Sequence, residues 1–212
     1  NADIVQRGFR DPSSLVRRAA VQAAARHVHA SQVRPLMHLY HDTPDEDVFL
    51  RHSIRMALRD HFQRQELFQQ IEGPLADSDV NLVAGICLAL DTSAAGEFLV
   101  RHIRILSDAS PAVFADYTRF AVRHVSAETV GALVDVARER FADDPNLQIE
   151  LLNAAADGLK QRGAPVPDAI RGWATSLASQ LIGLHDGKLP QPKAEPIAWT
   201  YLPHPGTKDR GN

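Results

Sequence analysis

Arg51, Arg55 and Arg59 stand four residues apart, and His52 adjoins them. That spacing lines one face of a helix. Arg17 and Arg18 fall at the equivalent place in a similar stretch upstream. Together these six side chains could form a positive strip able to meet phosphates. Two features weigh against nucleic acid. The chain carries a net charge of -3 with histidine neutral, so it exerts no general attraction on polyanions. No aromatic residues interleave with the arginines to stack on bases. The plainer reading is a solvated face in which Asp47 and Arg51 form a four-spaced ion pair.

The ten histidines raise the question of metal. His38 and His41 are three apart on one helix face, with His27 and His29 nearby in sequence, and zinc accepts such ligands. No Cys or His cluster has a recognised ligand spacing, however, and the acidic partners are scattered. Surface or half-buried histidines are expected, and no metal site is assigned. The single cysteine, Cys87, lies in the apolar run Gly85-Ile86-Cys87-Leu88-Ala89-Leu90. A thiolate nucleophile wants a positive, accessible setting, so Cys87 reads as a small buried hydrophobe. One cysteine forms no internal disulfide. The sequence has no C-x-x-C-H, G-x-S-x-G, P-loop or dinucleotide glycine pattern. Its carboxylates belong to helix starts and exposed faces. No catalytic residue and no cofactor is assigned, and the chain reads as non-enzymatic.

The elements that carry these residues follow a repeat. An aspartate followed six residues later by arginine or an apolar residue occurs at Asp11, Asp45, Asp77, Asp108 and Asp143. The period of roughly 33 residues falls in the range of stacked helical repeats. Five residues beyond each aspartate stand Val16, Leu50, Leu82, Val113 and Gln148; nine beyond, Ala20, Ile54, Ile86, Tyr117 and Leu152. Twelve beyond come Ala23, Ala57, Ala89, Phe120 and Ala155; thirteen beyond, Ala24, Leu58, Leu90, Ala121 and Ala156. These offsets make one stripe of an α-helix. The aspartates suit N-caps. Pro12, Pro111 and Pro145 follow them, where a missing amide hydrogen costs nothing. Alanine recurs where helix backbones should approach, so Ala57 and Ala89 are expected to be buried. Second helices are expected over roughly 31–41, 63–72, 94–106, 126–141 and 166–185. That makes ten helices and no strand.

The spacing Asp11-Pro12, Val16-Arg17, Ala19-Ala20 resembles a HEAT repeat, and the second copy keeps Asp45 and Arg51. The resemblance covers roughly residues 1–185. It implies an α-solenoid of about five HEAT-like hairpins with right-handed curvature. It also implies an Asp–Arg ladder confined to the first two copies, because the later ones carry Val83, Phe114 and Ile149 at the arginine position. The stretch from Asp47 to Asp60 further resembles HEAT segments of large planctomycete-type exported proteins, which combine a dehydrogenase-like propeller with a c-type haem domain. On that resemblance the redox chemistry would belong to other domains, and the compartment would be periplasmic or extracytoplasmic.

The chain starts with Asn1 rather than Met, immediately before a capped helix, and reads as a fragment of a longer polypeptide. There is no apolar run long enough to span a membrane. Residues 186–212 change character. Pro190, Pro192, Pro196, Pro203 and Pro205 punctuate an expected extended tail or linker, and Trp199 and Tyr201 are expected to dock. The reading that results is a scaffold or protein-interaction module whose partner is a protein or a flanking domain. The alternatives from other classes are a nucleic-acid-binding or DNA-glycosylase-like HEAT protein and a HEAT-type lyase acting on a prosthetic group.

Overall fold

A computed structural model describes residues 2–69, 71 and 74–185, and among these the chain is all-helical, with no strand. Residues 186–212, with Trp199 and Tyr201, lie outside the described residues. The helices are α1 (Ala2–Gly8), α2 (Ser14–Arg26), α3 (Val33–Asp42), α4 (Val48–Phe62), α5 (Glu66–Gln69), α6 (Asp77–Cys87), α7 (Ser93–Arg101), α8 (Ile103–Leu106), α9 (Pro111–His124), α10 (Ala127–Arg140), α11 (Pro145–Arg162) and α12 (Asp168–His185). A 3-10 turn, Ala30–Gln32, precedes α3.

Twelve α-helices therefore stand among the described residues where the periodicity suggests ten. The stretch over 94–106 divides into α7 and α8 at His102, whose backbone leaves the helical region with φ -104 and ψ 14. The helix α1 was not anticipated; its seven residues are too few to show a stripe.

Four of the five cap positions lie one or two residues later than the aspartate column implies, and that of α6 one residue earlier. Asp47, not Asp45, caps α4, its Oδ1 accepting from the Leu50 amide at 3.1 Å. Asp144, not Asp143, caps α11, accepting from the Leu147 amide at 2.9 Å. Ser13 precedes α2, Ala76 precedes α6 and Ser110 precedes α9, none of them with a side-chain cap bond. Pro111 and Pro145 do occupy the first turns of α9 and α11, whereas Pro12 lies before α2. Counted from the caps, α4 buries Leu50, Ile54, Ala57, Leu58 and His61, and α11 buries Leu147, Leu151, Ala154, Ala155 and Gly158. The offsets from the cap are identical in the two helices. Gly163, at φ 69, ends α11 in the left-handed conformation that suits glycine.

The column assignment fails at Ala89, which is exposed. Helix α6 ends at Cys87, so Ala89 falls in the turn beyond it and cannot continue the stripe. Val16 and Val113 are also exposed.

Packing runs between helices close in sequence. α1 lies on α2, α2 on α4, and α4 on α6; α7 lies on α9, α9 on α11, and α10 on both α7 and α12. One core cluster extends through these contacts from Phe9 to Trp173. An aromatic run helps join its middle: Phe62 stacks on Phe68 at 4.7 Å between ring centres, and Phe68 meets Phe98 at 5.8 Å. Among the described residues no helix is long and apolar enough to cross a membrane.

Candidate functional site

The basic side chains singled out by their spacing are each engaged differently. Arg51 Nη1 donates to the Thr43 carbonyl and reaches Asp45 Oδ1, both at 2.9 Å. Its guanidinium also lies 4.1 Å from the centre of the Tyr40 ring. Its carboxylate partner is thus Asp45 rather than Asp47, because Asp47 is occupied in capping α4. Arg59 pairs with Asp60 at 2.8 Å. Arg17 donates to the backbone carbonyls of Asp11 and Pro12. No Asp–Arg ladder links the first two copies through these residues, since each arginine turns back on the loop of its own copy. Arg18 sits over the Phe49 ring at 5.4 Å. His52 and Arg55 are exposed.

This strip therefore has apolar company. Leu15 is 75% exposed, Val48 65% and Phe49 72%. Leu15 and Arg18 share a face of α2, and Arg18 reaches Phe49 on α4, so Leu15, Arg18 and Phe49 form one patch. The cap and column pattern of these helix starts does not reveal the patch. Its signal was Val48-Phe49 directly after a capping aspartate, outside the buried stripe.

His38 and His41 do not share a site. His41 Nε2 donates to Asp79 Oδ1 at 2.9 Å, linking α3 to α6. His38 instead lines a cleft of about 690 Å³ between α1 and α3, with Asp3, Arg7, Arg10 and Asp42. No hydrogen bond among the described residues orients these five groups as an acid–base pair. His61 is fully buried. Its Nδ1–H donates to the Ala57 carbonyl at 2.7 Å, and its Nε2 accepts from the His29 amide at 3.4 Å. Gln32 Oε1 lies 3.1 Å from the same Nε2; both atoms accept in this tautomer, so the contact is a hydrogen bond only with the amide turned to present its NH2 group. Burial lowers the His61 pKa, because charging the ring would desolvate a cation. Cys87 is fully buried, and burial pushes its thiol pKa up. It is held as a thiol, without the setting a nucleophile needs.

A second cleft, of about 410 Å³, opens beside His61 between α1 and the ends of α2 and α4. Arg26, His27, His29 and Arg64 line it. These residues come from separate helix ends, so their convergence had no signature in the sequence.

Among the described residues the protein is all-helical and carries open clefts and one mixed apolar and basic patch. Compared with known proteins, the chain matches no family model, no curated protein and no solved structure.

Proposed function

We propose that this chain is a non-enzymatic α-solenoid of HEAT-like hairpins that serves as a scaffold and binds a protein partner. The observation that carries the reading is a set of polar links spaced by one repeat. Arg123 Nη2 donates to Asp91 at 3.2 Å across 32 residues of sequence, and Arg104 Nη2 to Glu139 at 2.9 Å across 35. Stacked arrays make such contacts between equivalent positions of consecutive units. The packing of α2 on α4, α4 on α6 and α9 on α11 supports the same arrangement.

The partner surface is the patch of Leu15, Arg18 and Phe49, extended by His52 and Arg55. Large apolar side chains left in water beside guanidinium groups fit a protein contact, where aromatics and arginine are favoured. They fit a phosphate backbone poorly. This weighs against the nucleic-acid alternative together with the net charge of -3.

A photoreactive amino acid at Phe49, with Glu150 as a control position, tests the reading in the native host. A single discrete protein adduct is expected at Phe49, absent at Glu150 and lost in L15S/R18A. Equal labelling at both positions would sink the assigned surface. Tight, sequence-dependent DNA binding at physiological salt would replace the reading with the nucleic-acid one.

A further inference from the structure

We propose that the cleft between α1 and the ends of α2 and α4 binds a small oxyanion, a phosphate group either free or carried as a monoester. The cleft encloses about 410 Å³ and is lined by Arg26, His27, His29 and Arg64, with Gln32 and Val5 completing it. Four cationic or proton-donating side chains converge from two separate stretches of chain. No carboxylate shares the wall.

Helix ends supply part of the reason for this charge. Arg26 stands in the last turn of α2 and Arg64 just beyond α4, where the helix dipole favours cations. That accounts for one guanidinium at each end. It does not account for two imidazoles between them, nor for a wall free of carboxylates in a chain with 26 acidic and 23 basic residues. Seven arginines elsewhere, Arg51, Arg59, Arg104, Arg119, Arg123, Arg140 and Arg171, each meet a carboxylate. Among the described residues Arg26 and Arg64 meet none.

One side of the wall is held in place before any ligand enters. His29 Nδ1 accepts from the Ser31 amide at 3.2 Å. The neutral ring therefore carries its proton on Nε2, and His29 keeps a donor whether neutral or charged. Gln6 Nε2 donates to the Ser31 carbonyl at 2.9 Å, fixing α1 against the 3-10 turn. Gln32 is buried and in contact with the buried His61. That side of the cleft loses little freedom when a ligand enters, while the exposed Arg26 and Arg64 side chains close on it. Two guanidinium forks suit the paired oxygens of phosphate, while Val5 and Val28 offer an apolar wall for the carbon part of an ester.

The test is a titration of the full chain with inorganic phosphate and, separately, with phenyl phosphate. It is read by calorimetry and by the NMR signals of the histidine rings. Saturable binding at one site is expected, moving the His27 and His29 signals and leaving His52 unmoved. R26Q/R64Q should weaken binding about tenfold or more, given what a charged hydrogen bond contributes. R101Q/R138Q removes equal charge elsewhere and should leave binding unchanged. R26K/R64K keeps both charges at the helix ends and should still bind several-fold more weakly, through loss of the planar forks. Tighter binding of phenyl phosphate would mark a monoester as the ligand, and equal binding would mark free phosphate. The proposal is overturned if neither probe binds saturably, or if both glutamine double variants weaken binding alike.

Discussion

Trp173 Nε1 donates to Gln148 Oε1 at 2.9 Å in the buried seam between α12 and α11. The other end of the same amide donates to the Phe141 carbonyl at 2.8 Å. Both halves of Gln148 are satisfied, so a polar residue is held in a column that elsewhere is apolar. Gln148→Leu would leave the indole N–H without a partner, while the Phe141 carbonyl keeps the Asp144 amide at 3.0 Å. A buried donor left in this way costs about 1–3 kcal/mol. A clear drop in melting temperature is expected. Trp173→Phe should then cost less in the Q148L background than in the parent, because its partner is already gone. A strictly additive cycle would show that this bond contributes nothing.

The two aspartates before α4 separate in the same way. Asp47 satisfies a free amide of the first turn, and replacing it with alanine should cost roughly 0.5–2 kcal/mol. Asp45 is highly exposed in its pair with Arg51, and exposed pairs contribute at most about 1 kcal/mol. Thermal melts should rank D47A below D45A. The reverse order would return the cap to Asp45.

That pair of residues also shows what the sequence could and could not reveal. The apolar stripes of α4 and α12 were legible because burial imposes the helical period on every turn, whereas the columns on α9 and α11 strayed from the buried face and left Val113 and Ala156 exposed. The caps were not legible, because Asp45 and Asp47, or Asp143 and Asp144, are chemically equivalent choices one or two residues apart. Ala89 was misplaced because nothing in the apolar run from Gly85 to Leu90 announces that α6 stops at Cys87. At the surface, the spacing of Arg51, Arg55 and Arg59 was visible. The rings that flank the strip, Tyr40 under Arg51 and Phe49 under Arg18, depend on packing between helices. The basic cleft is assembled from two helix ends, a turn and part of α1, and linear spacing carries no trace of it.

His61 makes stability depend on pH. Asp60, Arg64 and His29 are the titratable or charged groups that act on its ring, and Gln32 and the Ala57 carbonyl complete its surroundings. Burial holds its folded pKa below the ordinary 6.5. The unfolded chain therefore binds a proton that the folded chain refuses, and stability rises with pH through this window. The contribution is complete above the unfolded value and is lost as pH falls through the folded one. His102 and His124 are lowered by burial as well and act in the same direction. The melting temperature of the parent should fall as pH drops from about 7.5 to about 5. In His61→Gln the fall should be shallower. An unchanged slope would mean that His61 titrates normally in the fold.

Gly158 sets the closest approach of α11 to α9. A Cβ at this position would meet the Arg119 carbonyl oxygen and lie 3.2 Å from the Arg123 amide nitrogen. Both are backbone atoms, which cannot rotate aside as the end of a flexible side chain can. Helix propensity alone favours alanine over glycine by about 1 kcal/mol. Overpacking of a tight interface typically costs about 1–3 kcal/mol. Gly158→Ala should therefore lower the melting temperature despite its better propensity. Gly131, within α10, provides the control, because a Cβ there meets nothing within 4 Å. Gly131→Ala gains propensity without a clash and should raise stability by about 0.4–1 kcal/mol. The two identical substitutions are expected to carry opposite signs. If both variants melt higher than the parent, α9 and α11 do not meet backbone to backbone, and the close approach assigned to Gly158 is wrong.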